Sequence, residues 1–257
     1  MTQMGSRGNS ASTAAVAAMF DRIARRYDVM NAVISGFQEP RWRRRLVAAT
    51  GLGFGMSAVD VATGTGKVAI SLADAVGPFG RVVGVDVSEG MIGLARSRTA
   101  DRVELAFVVG DAMALPLPDG TDAPRDDDPA GFDAATIAFG MRNLPDYARG
   151  FGEMARVVRP GGIVACLEIA RPRSLIGRVG RLWFEAAVPW LGRLVGEGEA
   201  YRYLVDSVRA YPPPDEIATI MGAAGLVDVT WRPMLFGMVT LHTGRRPATV
   251  VRPVPSA

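Results

Sequence analysis

From residue 14 to residue 27 apolar side chains recur at spacings of three and four, at Val16, Met19, Phe20, Ile23 and Tyr27, with Arg22, Arg25 and Arg26 between them. That spacing places one apolar stripe on a helix. Residues 40–49 read as a second helix, opened by Pro40 and rich in arginine. From Ser57 the pattern changes. Short apolar runs at 57–62, 81–87, 103–109, 132–138 and 162–170 alternate with helical stretches at 67–76, 89–98 and 147–158. Near-continuous apolar strands alternating with helices predict a parallel sheet covered on both faces. Residues 175–195 form a long amphipathic pattern with Trp183, Trp190 and Leu191 on one face and Arg178, Arg181 and Arg193 off it; Pro189 should kink it. Helices at 201–209 and 215–224 follow, with Gly225 placed to end the second, and strands at 227–233 and 237–243 close the pattern.

Composition narrows the chemistry. The 257 residues hold one lysine (Lys67), one histidine (His242) and one cysteine (Cys166), so nearly all positive charge is arginine. A zinc site built from several His or Cys ligands is excluded, as is a disulfide within the chain. A nucleophile–histidine pair can be built only on His242. The net charge of +3, with no lysine-rich tail, gives no reason to expect a nucleic-acid partner. Residues 1–12 are polar and read as disordered, without the apolar core of a signal peptide, and no uncharged run is long enough to span a bilayer. A cytoplasmic protein is expected, with a role at the membrane surface left open. Residues 119–131 are rich in Asp, Pro and Gly and read as a solvated loop insertion rather than a metal site.

The chemistry concentrates in residues 59–70, VDVATGTGKVAI. A strand ends at Asp60, the chain turns over Thr63, Gly64, Thr65 and Gly66, and a helix begins. Glycine there lets a ligand approach the backbone, and Asp86, at the end of the next strand, is placed to accept hydrogen bonds from ribose hydroxyls. A P-loop fails twice, at Val61 and Val68. A dinucleotide loop, G-x-G-x-x-A, is satisfied by Gly64, Gly66 and Ala69, and would support a nicotinamide-dependent oxidoreductase. The spacing Asp60, three residues, then Gly64-x-Gly66 also matches a loop for S-adenosylmethionine. Met91 and Ala112 suit the apolar contacts of an adenine slot, and Asp111 suits a hydrogen bond from its exocyclic amine.

Nine segments carry a wider likeness: MFDRIARRYDVMN (19–31), DVATGTGKVAI (60–70), VGVDVSEGM (83–91), GDAMALPLPDG (110–120), FDAATIAFGMRNLPD (132–146), EMARVVRPGG (153–162), LEIARP (167–172), YRYLVDSVRAYP (201–212) and VTLHTGRR (239–246). With them the sequence resembles the UbiE/MenG-type C-methyltransferases, which methylate the ring of demethylmenaquinol or of a ubiquinone precursor. The resemblance implies an α/β class I methyltransferase of Rossmann-like fold, with a mostly parallel seven-stranded sheet, N-terminal helices and a helical lid. It implies one methyltransferase domain over 13–247: N-terminal helices to 50, a cofactor-binding core over 51–172, the lid over 173–212, and a closing helix and hairpin over 213–247, before a flexible tail at 248–257. The cofactor would be S-adenosylmethionine, held by Asp60, Gly64, Thr65, Gly66, Asp86, Met91, Asp111, Ala112 and Ala138. Tyr27, Asp28 and Tyr201 would face the substrate, an isoprenoid quinol or another phenolic acceptor, with no metal. Peripheral membrane contact and a homodimer stay open as further associations. The chain departs from the family at Lys67, where members usually carry an acid, at Ala138, often Ser, at Phe37-Gln38-Glu39-Pro40, and in its acidic insertion. A paralogue acting on another aromatic acceptor and a cofactor-binding subunit without catalysis remain alternatives.

Methyl transfer needs an electron-rich ring carbon about 3 Å from the methyl group and in line with it. A phenol titrates near 10, so a base or a cation that favours the phenolate raises the reactive fraction. Arg142 and Asn143, just past the fourth strand, are the expected phenolate partners. His242 is the one side chain whose ordinary pKa lies near neutrality, and is the candidate base.

Overall fold

The computed structural model describes residues 13–120, 131–170, 172, 177 and 198–248. The expected amphipathic segment 175–195, the acidic residues 121–130, the N-terminal residues 1–12 and the tail from 249 lie outside the described residues, as do the side chains of Tyr27 and Tyr201. Within them the helices are α1 (Thr13–Ile34), α2 (Glu39–Thr50), α3 (Lys67–Val76), α4 (Glu89–Arg98), α5 (Tyr147–Val157), α6 (Gly198–Ala210) and α7 (Pro214–Ala223). The strands are β1 (Ser57–Val61), β2 (Arg81–Asp86), β3 (Leu105–Val109), β4 (Phe132–Ala138), β5 (Val158–Ile169), β6 (Val227–Met234) and β7 (Val239–Arg245).

One sheet runs in the order β3-β2-β1-β4-β5-β7-β6. Its first five strands are parallel, and β7 pairs antiparallel with both β5 and β6. Every residue of β1 is buried, the polar Ser57 and Asp60 included, as befits a central strand in a sheet covered on both faces. One face packs Tyr147, Phe151 and Met154 of α5 and Ile217 and Met221 of α7. The other packs Trp42 and Leu46 of α2, Leu72 and Val76 of α3 and Ile92 of α4.

Helix ends follow local chemistry. Ser88 and Asp146 accept backbone N–H groups at the starts of α4 and α5. Gly225, at φ +92°, closes the turn after α7, where Leu226 N–H returns to the Met221 carbonyl. Several boundaries differ from expectation. α1 runs seven residues past Tyr27, to Ile34. β5 begins at Val158, because Arg159-Pro160-Gly161-Gly162 folds as a bulge within the strand; Phe132 pairs with Val158, but Ala134 already pairs with Ile163. Gly237 belongs to the turn before β7 rather than to the strand. The acidic insertion leaves and returns at one point. A Cβ added to Gly131 would lie 2.5 Å from the Gly120 Cα. That point precedes β4, at the amino-terminal edge of the parallel strands.

Candidate functional site

Parallel α/β sheets bind ligands beyond the carboxyl ends of their strands, where the strand order reverses. Here the reversal lies between β1 and β4. Both strands end in sharp turns, with Ala62 at φ +51° and Phe139 at φ +56°, conformations uncommon outside glycine. The turns touch: a Cβ on Gly140 would lie 2.6 Å from the Ala62 Cβ. Gly64 and Gly66 also have positive φ, at +54° and +82°, which the glycine loop requires.

A cleft of about 670 Å³ opens over this point. It is lined by Gly64, Asp86, Met91, Asp111, Ala112, Ala138 and Asn143, seven of the residues singled out in the sequence, together with Val16 and Phe20 of α1. Asp86 accepts the Gly64 N–H at 2.8 Å and the Ser88 N–H at 2.9 Å, so this carboxylate ties the glycine loop to the start of α4. Burial pushes its carboxyl above the usual range, against the pull of those hydrogen bonds. Asp111 accepts the Met113 N–H at 2.9 Å. Carboxylates for hydroxyl and amine donors flank an apolar slot formed by Met91 and Ala112, a donor and acceptor set that suits a nucleoside.

Asp60 lies beneath the loop. It is 1% exposed and accepts hydroxyls from Thr63 at 2.6 Å and Thr136 at 2.8 Å. Desolvation pushes its carboxyl up to about 7, with the nearby Asp86 adding to the effect. Asp60, Gly64, Thr65 and Ala138 line a second recess beside the first, and Lys67 and Asp28 join them. Asp28 accepts the Thr65 hydroxyl at 2.8 Å and pairs with Lys67 at 3.2 Å and Arg98 at 2.5 Å. Burial alone would raise its carboxyl; the Thr65, Arg98 and Lys67 donors outweigh that and hold it low. The structure thus seats Asp28 on the glycine loop.

The expected phenolate partners occupy a short 3-10 turn, Met141–Asn143, and face different ways. Asn143 lines the cofactor cleft and accepts the Tyr203 hydroxyl at 3.2 Å. Arg142 lines a separate apolar cavity of about 630 Å³ with Trp42, Phe139, Ile169, Leu204 and Met238. Phe139 lines both. The Arg142 Nη1 donates to the Glu168 Oε1 at 2.8 Å and to the Phe139 carbonyl, and its backbone N–H reaches the Glu168 Oε2 at 3.2 Å. Glu168 is fully buried. Its importance was missed, although the signal was present: an acid inside the apolar strand of LEIARP needs a partner. Tyr203 was missed in favour of Tyr201, two residues earlier on the same helix.

His242, the candidate base, stands apart from these cavities. It sits on β7 between Cys166 of β5 and Trp231 of β6 and is fully buried. Its Nε2–H donates to the Pro214 carbonyl at 2.9 Å, its Nδ1 has no partner among the described residues, and burial lowers its pKa. None of the three cavities includes it. Antiparallel register sets this: Val239, not His242, is the β7 residue at the open end of the sheet, opposite Ile169. The described residues contain no group of three or more potential metal ligands.

A demethylmenaquinone methyltransferase of Thermus thermophilus is 40% identical over 232 residues, which is 89% of this chain and all of that protein. The enzyme of the same name from Roseiflexus castenholzii is 42% identical over 228 residues, 88% of this chain and 91% of that one. A solved S-adenosylmethionine-dependent methyltransferase of Thermotoga maritima superposes with a TM-score of 0.62 at 20% identity, covering 90% of this chain and 99% of its own, which shows the shared fold. The model of the ubiE/COQ5 methyltransferase family matches residues 8–246, and the chain belongs to that family.

Proposed function

We propose that this methyltransferase C-methylates the ring of a demethylmenaquinol-type isoprenoid quinol. The observation that carries the reading is the turn after β4. Adjacent residues Arg142 and Asn143 line two different cavities, and Phe139 is common to both. A ring in the apolar cavity beside Arg142 would meet the cofactor cleft across this turn.

S-adenosylmethionine, when bound, supplies an electrophilic methyl carbon on its sulfonium. The chain supplies position. Asp86, Asp111, Met91 and Ala112 hold the nucleoside, and Trp42, Phe139 and Met238 enclose an aromatic acceptor. Holding both reactants in line is worth several kcal/mol of barrier. Arg142 remains charged at neutral pH and orients a hydrogen bond toward a ring oxygen. Each unit by which the phenol pKa falls is worth about 1.4 kcal/mol. Glu168 acts in two ways: it fixes the guanidinium plane, and it offsets part of its charge. Arg142 therefore works chiefly as an oriented donor. With the donor bound, the ring carbon would take the methyl group as the S–CH3 bond breaks and its electron pair stays on sulfur, and the ring proton would then leave to solvent as aromaticity returns.

The acceptor's apolar tail would lead toward a bilayer surface. Leu235 both lines the apolar cavity and is 40% exposed, and Phe37, 72% exposed, lies two residues past Ser35, another lining residue. No helix among the described residues is long and apolar enough to cross a membrane.

An acceptor panel tests the reading: demethylmenaquinol, a demethylated ubiquinol precursor and tail-free phenols, each with a labelled methyl donor. Labelled ring carbon in the demethylmenaquinol sample is expected. Cofactor binding without methylation of any quinol would overturn it.

A further inference from the structure

Helix α1 crosses the cofactor cleft and is held at two points. Val16 and Phe20 line the cleft itself. Asp21 accepts the Ser88 hydroxyl and the Gly90 N–H at 2.9 Å, at the cap and first turn of α4. Two helical turns later, Asp28 lies on the glycine loop, where Thr65, Lys67 and Arg98 converge on it. Lys67 also reaches Glu39 of α2 at 3.9 Å. The same ammonium group thus touches both N-terminal helices from the start of α3, directly after the glycine loop.

We propose that Lys67 is a positioning residue that clasps α1 and α2 onto the glycine loop and so sets how fast cofactor leaves the cleft. The inference rests on the reading of this cleft as the S-adenosylmethionine site. Val16 and Phe20 form part of the cleft wall, so lifting α1 would open a way out for the cofactor product, and the Asp28 end is the one held by long, partly exposed cations. Lys67 and Arg98 keep 33% and 39% of their side-chain surface. Such pairs are screened by salt. The Asp21 end is held by a hydroxyl and a backbone N–H and carries no such sensitivity.

The test measures dissociation of S-adenosylhomocysteine by displacement, in the full chain and in Lys67→Met, Lys67→Arg and Asp28→Asn, each confirmed folded by its thermal transition. Lys67→Met is expected to release the ligand about five to ten times faster, with Lys67→Arg within about twofold of the parent. Raising salt from 0.05 to 0.5 M should speed release more in the parent than in Lys67→Met, which keeps only the Arg98–Asp28 pair at that end. A second readout needs no Lys67 variant. Because the chain has one lysine, an amine-reactive acylating reagent followed by peptide mass analysis reports Lys67 alone among side chains. Its labelling should slow when S-adenosylhomocysteine is bound, and Asp28→Asn should abolish the slowing. Equal release rates in Lys67→Met and the parent, or ligand-independent labelling of Lys67, would overturn the clasp. Failure of the parent to bind S-adenosylhomocysteine at all would instead overturn the cofactor reading beneath it.

Discussion

Arg142 and Glu168 form an ion pair with almost no access to solvent: the guanidinium Nη1 lies 2.8 Å from Oε1, and the side chains are 7% and 0% exposed. The residues are 26 positions apart and meet because β4 and β5 are neighbours in parallel register, with Ala138 opposite Leu167. Removing one partner strands the other's charge in the interior, which typically costs about 3–5 kcal/mol. Arg142→Ala is therefore expected to lower both turnover and stability while changing cofactor affinity little. Glu168→Gln, which keeps the shape and some hydrogen bonding, should keep more stability yet still reduce kcat, since the guanidinium loses its fixed plane. Steady-state kinetics with calorimetric titration of S-adenosylhomocysteine would separate the effects. A loss of cofactor affinity as large as the loss in kcat would assign Arg142 to the cofactor instead.

Asp86 is expected to act on cofactor binding, both directly and through the loop it holds. It lines the cleft and holds both the glycine loop and the start of α4 through two N–H groups. Hydrogen bonds to a charged group are worth about 1.5–3 kcal/mol each. Asp86→Ala should weaken S-adenosylhomocysteine binding at least tenfold in calorimetry. Unchanged affinity would move the ribose site elsewhere.

How much of this was legible in the sequence depends on the range of the interaction. The strand and helix alternation, the glycine loop and the placing of Asp86 and Asp111 are local patterns, and each survives in the fold with shifts of a few residues. The Arg142–Glu168 pair and the Asp28–Lys67 contact are not local. They depend on which strands neighbour each other and on where α1 crosses the sheet, and no spacing encodes that. His242 shows the same limit from the other side. Its residue type is suited to a base, but register with Cys166 and Trp231 puts it in the core.

Asp60 makes stability depend on pH. Its carboxyl is pushed from an ordinary 3.8 up to about 7 by burial. Between those values the folded chain holds a proton that the unfolded chain has released. Stability therefore falls as pH rises through that window, by about 1.4 kcal/mol per unit at most, and levels off above 7. Asp60→Asn removes the titration. The difference in unfolding free energy, variant minus parent, should grow in the variant's favour from pH 4 to pH 8, as read by denaturant melts at each pH. A difference independent of pH would show that Asp60 titrates near its ordinary value.

His242 should matter to stability and not to chemistry. The ring is neutral near pH 7 because burial lowers its pKa, and its Nε2–H anchors the Pro214 carbonyl at the start of α7. Losing a buried hydrogen bond of this kind typically costs about 0.5–1.5 kcal/mol. His242→Phe is expected to lower the denaturation midpoint while leaving kcat within about twofold, with the same pH–rate profile as the parent. Loss of a limb of that profile would return His242 to the role of base.

Phe37 sits at φ +59°, a strained position for a bulky residue, and is 72% exposed, between Ser35 and Glu39, which both line the apolar cavity. Neither packing nor backbone preference accounts for an aromatic ring there, whereas an apolar side chain that enters a bilayer surface gains up to about 1.5–3 kcal/mol on burial. Phe37→Ser combined with Leu235→Ser removes two such side chains without touching Arg142. The double variant should bind anionic phospholipid vesicles at least tenfold more weakly in a flotation assay. Its KM for a long-tailed quinol presented in those vesicles should rise severalfold, while its KM for a tail-free quinol in solution stays within about twofold. An equal rise for both acceptors would mean that these residues shape the ring cavity and do not contact a membrane.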